Sequence, residues 1–181
     1  MYEPIFTKRL ILRAFTMQDA LQVHALAGEY EIAANTLRIP HPYELEHAQS
    51  WIRNQAEAIE KQKELTWAIT LTDSQELIGS IGLILIKEFE QAELGYWIGK
   101  PYWNNGYASE AAAALLDFGF LKLGMHRIHA HHLSRNPGSG RVLQKIGMQH
   151  EGHLRHHIRK WSKFEDIDMY AILNDEYVPL S

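Results

Sequence analysis

Apolar residues recur along the chain with two periods, and the switches between them set the order of elements. Arg9-Leu10-Ile11-Leu12-Arg13 alternates as a first strand, and Thr16-Met17-Gln18-Asp19 supplies polar caps ahead of a helix from Ala20 to Ala27. After Pro40-His41-Pro42, the stretch Glu44 to Lys61 carries Leu45, Ala48, Trp51, Ile52, Ala56 and Ile59 at helical spacing, which predicts an amphipathic helix. From Thr66 to Ile98 the period shortens. Trp67 to Leu71, Leu77 to Ile86 and Ala92 to Ile98 read as strands, and the breaks at Asp73-Ser74 and Glu88-Phe89-Glu90 suit antiparallel hairpins.

Ser109 to Leu123 is rich in alanine and leucine and free of proline, so it reads as a helix stopped beside Gly124. Arg127 to Leu133 follows as a strand and Ser139 to Ile146 as a short helix ended by Gly147. Gln149 to Ile158 and Asp166 to Leu173 close the chain as strands. Strands and helices alternate, hence a mixed α/β class. No repeat, low-complexity tract or linker interrupts residues 1–181, so a single domain is expected.

The bulk chemistry narrows the function. No apolar run approaches the roughly 20 residues that cross a bilayer, so a cytoplasmic protein without a membrane partner is expected. The absence of cysteine removes disulfides, thiolate metal sites and cysteine nucleophiles. A formal net charge of −4 gives no global field for nucleic acid, and a cationic substrate fits better than a polyanion. Arg155, Arg159, Lys160 and Lys163 do cluster with His153, His156 and His157, a run that reads as a solvated strand and turn.

Between the strand ending at Ile98 and a helix beginning near Asn105 lies Gly99-Lys100-Pro101-Tyr102-Trp103-Asn104-Asn105-Gly106-Tyr107-Ala108. A strand, a glycine-containing turn and a helix in that order gather unpaired backbone N–H groups around one concavity, where the helix dipole favours an anion. Gly106 lets the backbone approach a phosphate closely, Ala108 is too small to block it, and Ser109 adds a hydroxyl donor. A glycine turn with no ligand remains an open reading of this segment alone. No G-x-x-x-x-G-K-[ST] occurs, nor a G-x-G-x-x-G after a strand, so P-loop and Rossmann sites lack their anchors.

The segment Tyr102-Trp103-Asn104-Asn105-Gly106-Tyr107-Ala108-Ser109-Glu110-Ala111 resembles motif A of the GNAT superfamily of N-acetyltransferases, in its RimJ/RimL-like branch of ribosomal-protein alanine N-acetyltransferases. Three further segments are similar to that branch, in order. Thr7 to Arg13 with Asp19-Ala20 resembles its opening strand and helix, and Ala92-Glu93-Leu94-Gly95-Tyr96-Trp97-Ile98 its fourth strand. Asn136 to Met148 resembles its Asn-x-x-Ser helix and following turn. The resemblance implies a mixed, mostly antiparallel sheet of about seven strands flanked by about four helices and splayed between strands four and five. It also implies acetyl-CoA in the splay as co-substrate, direct acetyl transfer to a primary amine, and no metal. Trp103 stands where the wider superfamily often has Gln or Arg, and Met148 where an aromatic is usual. The glutamate that RimL-like enzymes carry after a Glu-Gly pair is missing, because Arg155 to Lys160, following Glu151-Gly152, holds no acid.

Carried over by resemblance, backbone N–H groups of Trp97, Ile98 and Gly99 meet the pantetheine, and Asn104, Asn105, Gly106, Tyr107, Ala108 and Ser109 hold the pyrophosphate. Asn136 bonds the pantetheine amides and Ser139 donates to the departing thiolate. The competing reading of Asn136 and Ser139 is local helix capping. Glu93, on the strand beside the acetyl group, is the candidate base. The acceptor is then a protein N-terminal α-amine or a small cationic amine. At neutral pH an α-amine lies about 3 kcal/mol nearer its reactive neutral form than a lysine amine does. His129 and His131 share a strand face, with His153, His156 and His157 on an expected neighbouring strand. Solvated or substrate-facing imidazoles account for them better than a metal does. A non-catalytic acetyl-CoA-binding sensor module is the alternative function, and monomer and homodimer both stay open.

Overall fold

The computed structural model describes residues 3–61 and 63–179. In chain order its elements are β1 Ile5–Phe6, β2 Leu10–Arg13, α1 Ala20–Ala27, α2 Tyr30–Asn35, α3 Leu45–Glu60, β3 Glu64–Leu71, β4 Leu77–Ile86 and β5 Gln91–Ile98. There follow α4 Tyr107–Asp117, β6 Arg127–Leu133, α5 Pro137–Lys145, β7 Gln149–Lys160 and β8 Lys163–Leu173. The eight strands form one sheet in the order β1-β2-β3-β4-β5-β6-β8-β7, antiparallel throughout except for the β5–β6 pair.

The sheet lies between two layers of helix. On one face α4 presses Leu115 and Leu116 onto Leu12, Trp67, Leu83, Leu94 and Ile128, with Trp67 edge-on to Phe118 at 5.2 Å. On the other, Val23 and Leu26 of α1 and Ala48 and Ile52 of α3 pack over Ala68 and Leu77. β3 is buried on both faces, which explains why Trp67 to Leu71 reads as an almost unbroken apolar run. Each large side chain so enclosed contributes about 1.5–3 kcal/mol of transfer free energy.

Among the described residues, eight strands and five α-helices stand where about seven and about four were expected. The additions are β1, of two residues, and α2, of six, both too short to leave a periodic signal. The helix read as Ser109 to Leu123 is α4 from Tyr107 to Asp117, continued by a π-helical turn over Phe118–Lys122. β7 and β8 form a hairpin longer than expected, because the exposed residues of β7 carry no alternation to mark its end. One consequence corrects the histidine reading: β8 lies between β6 and β7, so His153, His156 and His157 are not on the strand next to His129 and His131.

The central irregularity is between β5 and β6. They pair only at Gln91–Arg127, Ala92–Ile128 and Glu93–His129, and beyond that point they part. β5 continues along β4 to Ile98 while β6 follows β8, so the sheet opens between the fourth and fifth strands of the expected pattern.

Candidate active site

β5 leads directly into the glycine turn. Asn104 and Gly106 both take left-handed backbone, with φ of 62° and 80°, and α4 starts at Tyr107, between the start near Asn105 and the alanine-rich run from Ser109 that the sequence offered. No side chain caps α4, so the N–H groups of Tyr107, Ala108 and Ser109, which have no acceptor within the helix, stay available to an anion. The turn is braced from outside. Trp103 Nε1 donates to Ile98 O at 2.6 Å, and Asn105 Nδ2 donates to Trp103 O at 3.0 Å.

Sequence reading missed the residue that ties this turn to the sheet edge. Arg9, at the start of β2, donates from Nη1 to Asn105 O at 3.0 Å and from Nε to Glu110 Oε2 at 2.7 Å, and its guanidinium lies 4.7 Å from the Tyr107 ring centre. Glu110 also accepts from Thr7 Oγ1 at 2.7 Å and Arg9 N at 2.8 Å. Burial works to raise the Glu110 pKa, but these donors outweigh it and hold the carboxyl below its ordinary value. The turn is thus tied to the sheet edge by an Arg9–Glu110 ion pair, from residues that no local motif marks.

A cleft of about 1090 Å³ runs from this turn through the splay, and its lining includes all the candidate residues from Asn104 to Ser109 together with Glu93, Asn136 and Ser139. Along β5 the backbone alternates. Gly99 N donates to Ile78 O at 2.8 Å, so by the antiparallel ladder Trp97 and Gly99 spend their N–H groups on β4. Of the three amides expected to meet a pantetheine, only Ile98's faces the splay, and Tyr96 supplies the next one.

Tyr96 is the second residue missed. Its hydroxyl lies 2.8 Å from Ser139 Oγ, bridging the splay from β5 to α5. Burial pushes the phenol up to about 12, against a smaller opposing effect of the Ser139 hydrogen bond, so it keeps its proton at neutral pH. Asn136 caps α5 by accepting from Ser139 N at 3.3 Å. Tyr170 of β8 is buried and accepts from Gln144 Nε2 at 3.1 Å.

Glu93 projects from the opposite face of β5, level with Glu64 and Ile84 on the paired strands. Its Oε1 is 3.2 Å from His131 Nδ1, where β5 and β6 begin to part. Beside it Gly95 leaves open space above the sheet. The far wall is the segment from Leu37 to Ile39, pinned by the buried Lys160, whose Nζ donates to Ile39 O at 3.1 Å and lies 5.0 Å from the Trp161 ring centre. His153 sits away from this cleft wall, between Asp168 and Asp166 of β8 at 3.1 and 3.2 Å. Acids are therefore supplied next to the basic run by the neighbouring strand, although Arg155 to Lys160 holds none.

The arrangement offers open amides and a helix N-terminus for a pyrophosphate, a splay with unpaired strand amides for an extended amide chain, and a carboxylate with an imidazole where that chain would end. Comparison with known proteins agrees. Residues 9–149 match the family model described as an acetyltransferase (GNAT) domain. An uncharacterized N-acetyltransferase of Bacillus subtilis, YoaA, is 34% identical over 174 residues, covering 96% of this chain and 98% of its own. The crystal structure of a GNAT-family acetyltransferase from Bacillus anthracis superposes with a TM-score of 0.86 at 29% identity, covering 96% of this chain and 99% of that one. RimL, the ribosomal L7/L12 α-N-protein acetyltransferase solved with coenzyme A, shares the fold at a TM-score of 0.87 and 18% identity, covering 97% and 100% of the two chains. The chain belongs to the GNAT acetyltransferase family and is an acetyl-CoA-dependent N-acetyltransferase.

Proposed function

We propose that the acceptor is a primary amine, either the α-amine of a protein N-terminus or a small cationic amine, which enters over Gly95 between Glu93 and Glu64. The observation that carries this reading is the continuous cleft. It joins the uncapped α4 N-terminus to Glu93 through the opening between β5 and β6. The pyrophosphate would sit on the N–H groups of Tyr107, Ala108 and Ser109, with Asn104, Asn105 and Gly106 shaping the cradle and the Arg9–Glu110 pair bracing it. The pantetheine amides would bond Ile98 and Tyr96 of β5 and the Asn136 side chain. This sets the thioester between two chemically different walls.

On the α5 side, Tyr96 and Ser139 carry two hydroxyl protons between them. The Tyr96 hydroxyl also lies 3.3 Å from Ser139 O, so with Tyr96 as the donor to Ser139 the Ser139 proton is left to point at the departing sulfur. A phenol near 12 gives no proton to a thiolate of ordinary pKa near 8.5, a mismatch of roughly 5 kcal/mol, so the pair acts by hydrogen-bonding the developing charge. On the α1–α3 side, the carboxylates of Glu93 and Glu64 favour a cation. Arg38, 3.6 Å from Glu64, is a partner for an acceptor's carbonyl or carboxylate groups.

RimL, named for an α-N-protein substrate, supports the N-terminal class, and the two carboxylates on the cleft lining, Glu93 and Glu64, support the small cationic one. The deciding experiment is acetyl-CoA consumption over N-terminal peptides, lysine peptides, polyamines and aminoglycosides. Turnover of alanine- or serine-initiated peptides alone selects the first class, and of polyamines alone the second. Acetyl-CoA binding with no turnover of any amine would replace the enzyme with a sensor module.

A further inference from the structure

We propose that the proton of the acceptor amine is taken by His131, through Nε2, and that Glu93 is the positioning residue that orients this imidazole. The inference rests on the reading of the cleft as the site of acetyl transfer.

The geometry begins with register. Glu93 and His129 are the last pair of the parallel β5–β6 ladder, so their side chains emerge on one face, and His131, two residues on, emerges on the same face where the strands have parted. Glu93 Oε1 reaches back to His131 Nδ1 at 3.2 Å. A carboxylate at that distance favours the tautomer with its proton on Nδ1, which leaves the Nε2 lone pair free to accept. Among the described residues, nothing is hydrogen-bonded to that nitrogen, and both side chains line the cleft. His131 is largely enclosed, at 17% side-chain exposure against 29% for Glu93.

The surroundings keep the imidazole neutral. The titratable and charged groups around it are Glu93 from β5, His129 on the same face of its own strand, His132 on the opposite face, His157 from β7 and Arg38 from the segment before α3. Burial lowers its pKa most. Glu93 opposes that, and His157, His132 and Arg38 reinforce it, so the net shift is downward. A neutral imidazole at pH 7 is a competent base for an ammonium group.

The step balances as follows. His131 Nε2 takes one proton from R–NH₃⁺, the freed nitrogen lone pair forms the C–N bond to the acetyl carbon, and the C–S bond breaks with its electron pair going to sulfur. The thiolate gains a proton from solvent, the second proton on the amide nitrogen is lost, and the imidazolium is deprotonated by solvent. The products are the acetamide, the free thiol of coenzyme A and one released proton.

The test is the pH dependence of kcat/KM for the wild type, His131→Gln and Glu93→Gln, with spermidine and an alanine-initiated peptide as probes. With a working base, kcat/KM is flat between the His131 pKa and that of the amine. Without it, the reaction waits for the free amine, so His131→Gln should rise tenfold per pH unit over that window and lie about 100-fold below the wild type at pH 7. Glu93→Gln should keep the plateau at a level about tenfold lower. NMR titration of His131 supplies a readout free of turnover. Its midpoint should lie below the ordinary value and fall further in Glu93→Gln, because the carboxylate that favours the cation is gone. A flat profile in His131→Gln within twofold of wild type, or a His131 midpoint indifferent to Glu93→Gln, overturns the proposal while leaving the acetyltransfer reading intact. A wild type that turns over neither probe nor any other amine overturns both.

Discussion

Replacing Gly106 with alanine separates the cost of a strained turn from the loss of its ligand. Gly106 has φ of 80°, and a Cβ built there meets nothing closer than Arg9 Nη2 at 3.6 Å, an ordinary contact. The penalty is therefore conformational, about 1–2 kcal/mol for an L-residue held left-handed. At this chain length that is a fall in Tm of roughly 2–8 °C. Relaxation of the turn would also re-aim the amides at the start of α4, and one lost charge-assisted hydrogen bond, about 1.5–3 kcal/mol, raises KM for acetyl-CoA roughly 10- to 100-fold. Gly124 is the internal control, since its φ is 66° with open space around the built Cβ, at the other end of the helix. Gly124→Ala should lower Tm by a similar amount and leave KM for acetyl-CoA unchanged. The pair is measured by thermal melts and by initial rates with varied acetyl-CoA. If Gly106→Ala melts like Gly124→Ala and also keeps a wild-type KM, the left-handed turn is not what presents the amides, and the cradle argument fails.

Tyr96→Phe and Ser139→Ala should each lower kcat about tenfold with little change in Tm. Because one outward proton serves both hydroxyls, the double variant should lose much less than the product of the two; multiplicative losses would refute the shared pair. At Asp19 burial works to raise the pKa, but the hydrogen bonds from Arg13, at 2.7 and 2.8 Å, and from Thr16 outweigh it. The folded pKa is thus depressed, so this stabilisation is complete above the unfolded value of about 3.9 and disappears as pH falls through the folded one. Asp19→Asn should then cost about 2 kcal/mol in urea unfolding at pH 7, discounted for the partly hydrated Arg13, and progressively less as pH falls below the unfolded value. A deficit that stays equal as pH falls would assign the loss to packing instead.

What could be read from the chain was whatever is encoded within a few residues. The phosphate turn is of this kind: a strand end, a glycine that tolerates left-handed backbone and an alanine-rich helix start are contiguous, and the structure places them as one bend. The three groups added to the site are of the other kind. Arg9 reaches Asn105 across 96 positions and Tyr96 meets Ser139 across 43, each through the order of strands rather than through any spacing. Glu93 and His131 show the boundary most clearly. Alternation alone puts His129 and His131 on one face of their strand, and the fourth strand alone singles out Glu93. The two meet because β5 and β6 run parallel in the register Glu93–His129 and then separate, leaving the next imidazole on the cleft lining beside the carboxylate. Side-chain periodicity carries the face of a residue but not the register of its partner strand, and here the register decides which groups share the cleft.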